Sequence, residues 1–199
     1  MNNQEILDFI VKKENLQIAM EISTHIEDLK RQTHNDFWLG MNQELVRLFE
    51  EQRLDKWTFG KFNMKRLRTG WQTAYYSFKA PKRENPVSLL GFGIGQTGTE
   101  NNYRLYCGVT CHNISHADFV ILRGLLASEE LNNSSEWWVG WGYLPIFPFT
   151  VDFIFEMHNN RKEFITNSAQ SFWQKFLILR PEVEKINHQL LETNEVIEN

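Results

Sequence analysis

Residues 88–111, SLLGFGIGQTGTENNYRLYCGVTC, constrain the fold more than any other stretch. The first half alternates strictly. Leu90, Phe92 and Ile94 point to one side and Gly91, Gly93 and Gly95 to the other, because successive side chains on a strand face opposite ways. The second half alternates as well, with Leu105, Cys107 and Val109 on one side and Arg104, Tyr106, Gly108 and Thr110 on the other. Residues 97–102 between them, Thr-Gly-Thr-Glu-Asn-Asn, form a polar turn. The pattern predicts a β-hairpin with one greasy face and one nearly bare, glycine-paved face. A bare face admits close approach, whether by a ligand, a nucleic acid or a helix of the same chain.

The remaining segments supply layers for such a hairpin. Residues 3–13 and 16–32 read as amphipathic helices interrupted at Asn15, with Ile18, Ile22, Ile26 and Leu29 at near-helical spacing. The polar run 33–36 is expected to break and recap the chain. Residues 1–34 then make an N-terminal helical extension to an α+β domain spanning 35–199. A helix over 36–52 presents Phe37, Trp38, Met41 and Leu45. Residues 57–64 and 71–80 read as strands, which with the hairpin give four consecutive strands in an antiparallel meander. A helix over 115–131 follows, then an aromatic strand or extended segment at 136–143. A helix over 151–176, capped by Thr150 and bent near Asn159 and Asn160, precedes a last helix restarted after Pro181. The expected class is α+β, an antiparallel sheet of about four to six strands flanked by N-terminal and C-terminal helices.

Composition narrows the function. No run of eighteen apolar residues is present, and the first fifteen residues carry no apolar signal core, so a cytoplasmic protein without a membrane span is expected. Two cysteines in one predicted strand fit a reducing compartment. The net charge of −4 disfavours bulk nucleic-acid binding, but residues 53–83 hold nine basic side chains against Asp55 alone. Such a local basic surface attracts phosphate or an acidic protein face, or is simply a solvated rim.

The chemical motifs are weak. Gly91-Phe-Gly-Ile-Gly95 lacks the following Gly-Lys-Ser/Thr of a phosphate loop and is followed by a strand rather than a helix. Cys107, Cys111, His112 and His116 are metal-like residue types, but residues four apart on a strand stand roughly 13 Å apart, too far to share one zinc. Asp152 and Glu156, one helical turn apart, are the best carboxylate pair. Trp137, Trp138 and Trp141 suit an aromatic cage, a stacking surface or a sheet cover. Simple alternation sets Trp137, Val139 and Trp141 on one face and Trp138 and Gly140 on the other. No catalytic residue, metal-ligand set or cofactor is assigned.

The order of these pieces carries a resemblance. A helix with Phe37-Trp38 leads into paired strands, a hairpin ending in Tyr106-Cys-Gly108, the segment Trp137-Trp-x-Gly-Trp-x-Tyr-Leu144 and a closing helix. Over residues 36–180 this resembles the C-terminal, non-catalytic half of bacterial PD-(D/E)XK-superfamily proteins associated with phage defence. That superfamily's catalytic strand carries Asp/Glu-x-Lys. Here Lys79 is preceded two residues earlier by Ser77, so no nuclease residue carries over. The resemblance implies a non-catalytic recognition, inhibitor or adaptor protein acting on a bacterial or phage macromolecular system. The expected binding surface combines Lys61, Lys65, Arg66 and Arg68 with Arg104, Tyr106, Trp137, Trp138 and Trp141. A protein partner is expected, with nucleic acid or a nucleotide as alternatives and a homodimer through the N-terminal helices possible on the same reading. A nucleotide-like small-molecule binder, with the glycines as floor and a Trp as lid, is the second reading. A divergent metal-dependent nuclease or hydrolase is the third.

Overall fold

The computed structural model describes residues 3–60, 72–78, 89–97, 104–111, 119–146 and 150–197. In chain order the elements are α1 (Asn3–Ile10), α2 (Lys13–Glu51), β1 (Trp57–Gly60), β2 (Gln72–Phe78), β3 (Gly91–Gln96), β4 (Leu105–Thr110), α3 (Val120–Ser128), β5 (Asn133–Ser135), β6 (Trp138–Tyr143), α4 (Val151–Asn159) and α5 (Arg161–Ile197). The class is α+β, as the sequence implies. One six-stranded sheet runs β1-β2-β3-β4-β6-β5, with every pairing antiparallel. The first four strands form the expected meander, and the hairpin pairs Gly93 with Gly108 and Ile94 with Cys107.

The greasy hairpin face becomes the core. Phe92 packs against Phe172 and Phe176 of α5 at ring separations of 5.3 and 5.6 Å. Phe37, Trp38, Met41 and Leu45 close the same layer from α2, and Leu122 and Leu126 do so from α3. Phe153 of α4 meets Phe37 edge-on at 5.2 Å. The helices that touch the sheet core therefore lie on its Phe92/Ile94 side. Cys107 belongs to this core too, and burial pushes its thiol up to about 12, which suits neither a nucleophile nor a ligand.

Several helix boundaries differ from the sequence reading. Residues 33–36 do not break the chain: α2 runs unbroken from Lys13 to Glu51. Thr33 and His34 are buried there, and Asp36 pairs with Arg161 at 3.1 Å, so packing overrides the capping propensity of that polar run. The interruption near Asn15 falls at residues 11–12, where the Asn15 Nδ2 donates to the Phe9 carbonyl at 2.8 Å and satisfies the end of α1. Pro181 does not end the last helix either. Leu179, Val183 and Ile186 are buried on both sides of it, so α5 stays on the core although one backbone N–H is missing. The Thr150 cap is present, accepting from the Phe153 N–H at 3.3 Å.

α3 ends at Ser128, earlier than expected, through a Schellman closure without glycine. Glu130 takes the left-handed conformation at φ 62°, while the Leu131 and Glu130 N–H groups donate to Leu126 and Ala127 at 2.8 and 3.1 Å.

Where α2 enters the core it carries a buried polar cluster. The His34 Nε2 lies 2.7 Å from the Gln96 Oε1, and the Trp38 Nε1 donates to that same oxygen at 2.8 Å. Burial lowers the His34 pKa from its ordinary 6.5, and the Gln96 hydrogen bond opposes this only in part. The unfolded chain therefore binds a proton near pH 6.5 that the folded chain refuses. Stability is expected to fall as the pH drops below that value, by up to about 1.4 kcal/mol per pH unit. Denaturant unfolding at stepped pH checks this, and the slope should flatten in His34→Gln. An equal slope in that variant would refute the assignment.

Candidate recognition face

The sheet's second face is built by the glycine-bearing half of the hairpin alternation. Register sets Gly91 beside Thr110, Gly93 beside Gly108 and Gly95 beside Tyr106. Across the next ladder Tyr106 faces Tyr143, Gly108 faces Trp141 and Thr110 faces Trp138. Residues directly opposite share a face. Arg104, Tyr106, Trp138, Trp141 and Tyr143 therefore gather on the side away from the core, next to a floor of buried glycines.

This clustering depends on one irregularity. A register shift between Val109 and Thr110 leaves Val139 as an extra residue, so Trp138 and Trp141 fall on the same face. Simple alternation separates them and is corrected here. Val139 instead turns into the core at 4% exposure.

The rings interlock. Tyr106 meets Trp138 at 5.3 Å and Trp141 at 5.5 Å, both edge-on, and Trp141 meets Tyr143 at 5.3 Å with planes at 89°. The Arg104 guanidinium sits 3.9 Å above the Tyr143 ring, a cation–π contact. Tyr106 and Trp138 are 8% exposed, whereas Arg104, Trp141, Tyr143 and Thr110 are half-buried and reach solvent.

Of the expected site residues, four come together: Arg104, Tyr106, Trp138 and Trp141. Trp137 does not join them. It stands before β6, at the opposite end from Tyr143, half exposed, with its indole nitrogen on the Glu136 carboxylate at 2.8 Å. Lys61, Lys65, Arg66 and Arg68 lie outside the described residues, as do His112 and His116. Tyr143 is an addition to the expected set, and its signal is the alternation that continues from Trp141. Close packing of a helix or a Trp against the hairpin glycines is the plain expectation for them; on β4 Trp141 stands opposite Gly108, and on β6 the chain packs closely against two further glycines. There a Cβ on Gly140 would come within 2.7 Å of the Leu126 Cδ1, and one on Gly142 within 2.3 Å of the Glu130 carbonyl oxygen.

The alternative sites gain little. Asp152 is exposed, and Glu156 accepts from the Asn160 amide at 3.0 Å on the outer side of α4. Among the described residues no three His, Cys, Asp or Glu side chains are grouped to hold a metal ion. No described helix is long and apolar enough to cross a membrane. No family model matches the chain, and neither a curated protein nor a solved structure matches it.

Proposed function

We propose that this chain is a non-catalytic recognition protein that docks another protein on its aromatic sheet face. The observation carrying this reading is the gathering of Arg104, Tyr106, Trp138, Trp141 and Tyr143 on the face opposite the helical layer. Arg, Tyr and Trp are the residues that dominate binding energy at protein interfaces, and here they form one contiguous group. The ring geometry favours a protein over a stacked base. The rings stand edge to face with one another, and the flat side of Tyr143 is occupied by Arg104, whereas base stacking needs an open ring face. The bacterial or phage conflict setting rests on the resemblance described above.

The basic residues Lys61, Lys65, Arg66 and Arg68 enter this reading by their charge alone. Basic charge on the chain would accelerate encounter with an acidic partner more than it would tighten the final complex.

Native mass spectrometry on the chain isolated gently from its own cells is the test, with Trp141→Ala as control. A co-purifying protein, held by the wild type and weakened roughly thirtyfold or more in Trp141→Ala, is the expected result. Charge reversal at Arg66 and Arg68 should weaken the same complex without unfolding the chain. A retained nucleotide or oligonucleotide, or a protein partner indifferent to Trp141→Ala, overturns the reading.

A further inference from the structure

α2 changes character at one place. Its buried residues begin at Thr33 and His34, and residues 13–32 before them contribute none. Residues 33–36, Thr-His-Asn-Asp, include three good N-cap types, which favour starting a helix over continuing one. From Phe37 onward the core holds the helix through Phe37, Trp38, Met41 and Leu45, and Asp36 is tied to Arg161. The link from this run to the sheet is His34, through Gln96 of β3.

That link is short of acceptors. The Trp38 Nε1 only donates, and it reaches the Gln96 Oε1 at 2.8 Å. The His34 Nε2 lies 2.7 Å from the same oxygen, so it carries a hydrogen, since two facing lone pairs repel at that distance. Its 3.1 Å approach to the Trp38 Nε1 is then two donors aimed at one oxygen. Gln96 adds a third donor, a buried Nε2 that has no acceptor. Protonation of His34 adds a fourth N–H and a positive charge. The charged side chains along this part of α2 are engaged elsewhere: Lys30 with Glu27, Arg31 with Asp28 and Asp36 with Arg161 of α5. The end of β3 offers the neutral Gln96 and, next to it, Thr97. Among the described residues only the Gln96 amide favours the charged ring, and burial outweighs it.

We propose that residues 33–36 are a proton-operated hinge: protonation of His34 divides α2 there and swings the arm of residues 3–32 while the body stays folded. Opening at this run is the least costly way to admit the proton. It gives up the burial of Thr33 and His34 and one turn of helix hydrogen bonds, and a Thr33 or Asn35 side chain caps the helix that restarts. The restarted helix keeps its aromatic anchors in the core. In the divided form His34 reaches water and regains its ordinary pKa of 6.5, whereas the straight form holds it lower. The ratio of divided to straight form therefore rises as the pH falls below 6.5, by up to about tenfold per pH unit, and levels off below the lowered value.

Nitroxide labels on Gln17→Cys in the arm and Gln170→Cys on α5 report the arm-to-body distance by double electron–electron resonance. Both positions are exposed, and the native Cys107 and Cys111 are buried. One narrow distance is expected well above pH 6.5, and a second population should grow below it while the near-ultraviolet circular dichroism of the body holds. The midpoint of that change should match the titration of the His34 ring carbons followed by nuclear magnetic resonance in the unlabelled chain. His34→Gln keeps a neutral donor toward Gln96 and should stay straight at every pH. A distance that stays single until the body itself unfolds overturns the proposal. So does a second population that grows equally in His34→Gln, or a midpoint more than about one pH unit from the ring titration.

Discussion

Gly108→Ala is expected to destabilise the fold by about 3–5 kcal/mol, near the upper end for a single methyl group. A Cβ at that position would meet the Gly140 carbonyl oxygen at 2.1 Å and the Trp141 Cα at 2.7 Å. Both are backbone atoms of the neighbouring strand, so no side-chain rotation relieves the clash. β4 and β6 must separate, and they do so where the register shift aligns Trp138 with Trp141. The cost should therefore appear twice, as a lower denaturant midpoint and as altered near-ultraviolet circular dichroism from the tryptophans. Gly124→Ala is the control. It sits in α3 with nothing within 4 Å of its added Cβ, and it should gain about 0.5–1 kcal/mol from helix propensity. If the two substitutions cost the same, close strand approach is not what Gly108 provides.

That contrast also marks how far the sequence could be read. The hairpin was legible because strand periodicity is local: Leu90 to Ile94 and Leu105 to Val109 each alternate without help from the rest of the chain. Arg104 and Tyr106 were legible for the same reason, since they share a parity with Gly108. Alternation alone sets Trp138 and Trp141 on opposite faces, because a bulge is a relation between two strands and nothing within residues 136–143 declares one. Sequence alone divides α2 at Thr33, because a Thr-His-Asn-Asp run reads as a cap when helix propensity is the only force considered. Its actual role is tertiary, with His34 hydrogen-bonded to Gln96 across 62 positions of sequence. Pro181 misled in the same way. Local rules located the elements, while long-range contacts decided which boundaries between them were real. The candidate face was therefore half legible: its β4 half follows from parity, and its β6 half required the register.

Asn187→Leu is expected to cost about 2–5 kcal/mol even though the two side chains are close in volume. Asn187 is fully buried on α5 and acts as a surrogate strand for Leu90. Its Oδ1 accepts from the Leu90 N–H at 2.8 Å, and its Nδ2 donates to the Leu90 carbonyl at 3.0 Å. Leucine fills the space but leaves a buried donor and a buried acceptor unpaired, at about 1–3 kcal/mol each. Asn187→Asp separates hydrogen bonding from packing. An ionised aspartate accepts from the N–H but faces the carbonyl oxygen with charge, while a protonated one can restore both bonds. Burial and that carbonyl raise the folded-state pKa of the new carboxyl above its unfolded value near 3.9. The folded chain then binds the proton more tightly than the unfolded one. Stability of Asn187→Asp relative to wild type should improve as the pH falls through the raised folded-state value and worsen as it rises. Asn187→Leu should show no such dependence relative to wild type. Denaturant unfolding of both variants at stepped pH separates the outcomes, and a cost below about 1 kcal/mol for Asn187→Leu would mean that water or backbone movement serves Leu90 equally well. The consequence reaches the recognition face directly. Leu90 leads into β3, the strand whose glycines floor the aromatic group, so this bond pair fixes the start of that strand against the helical layer beneath it.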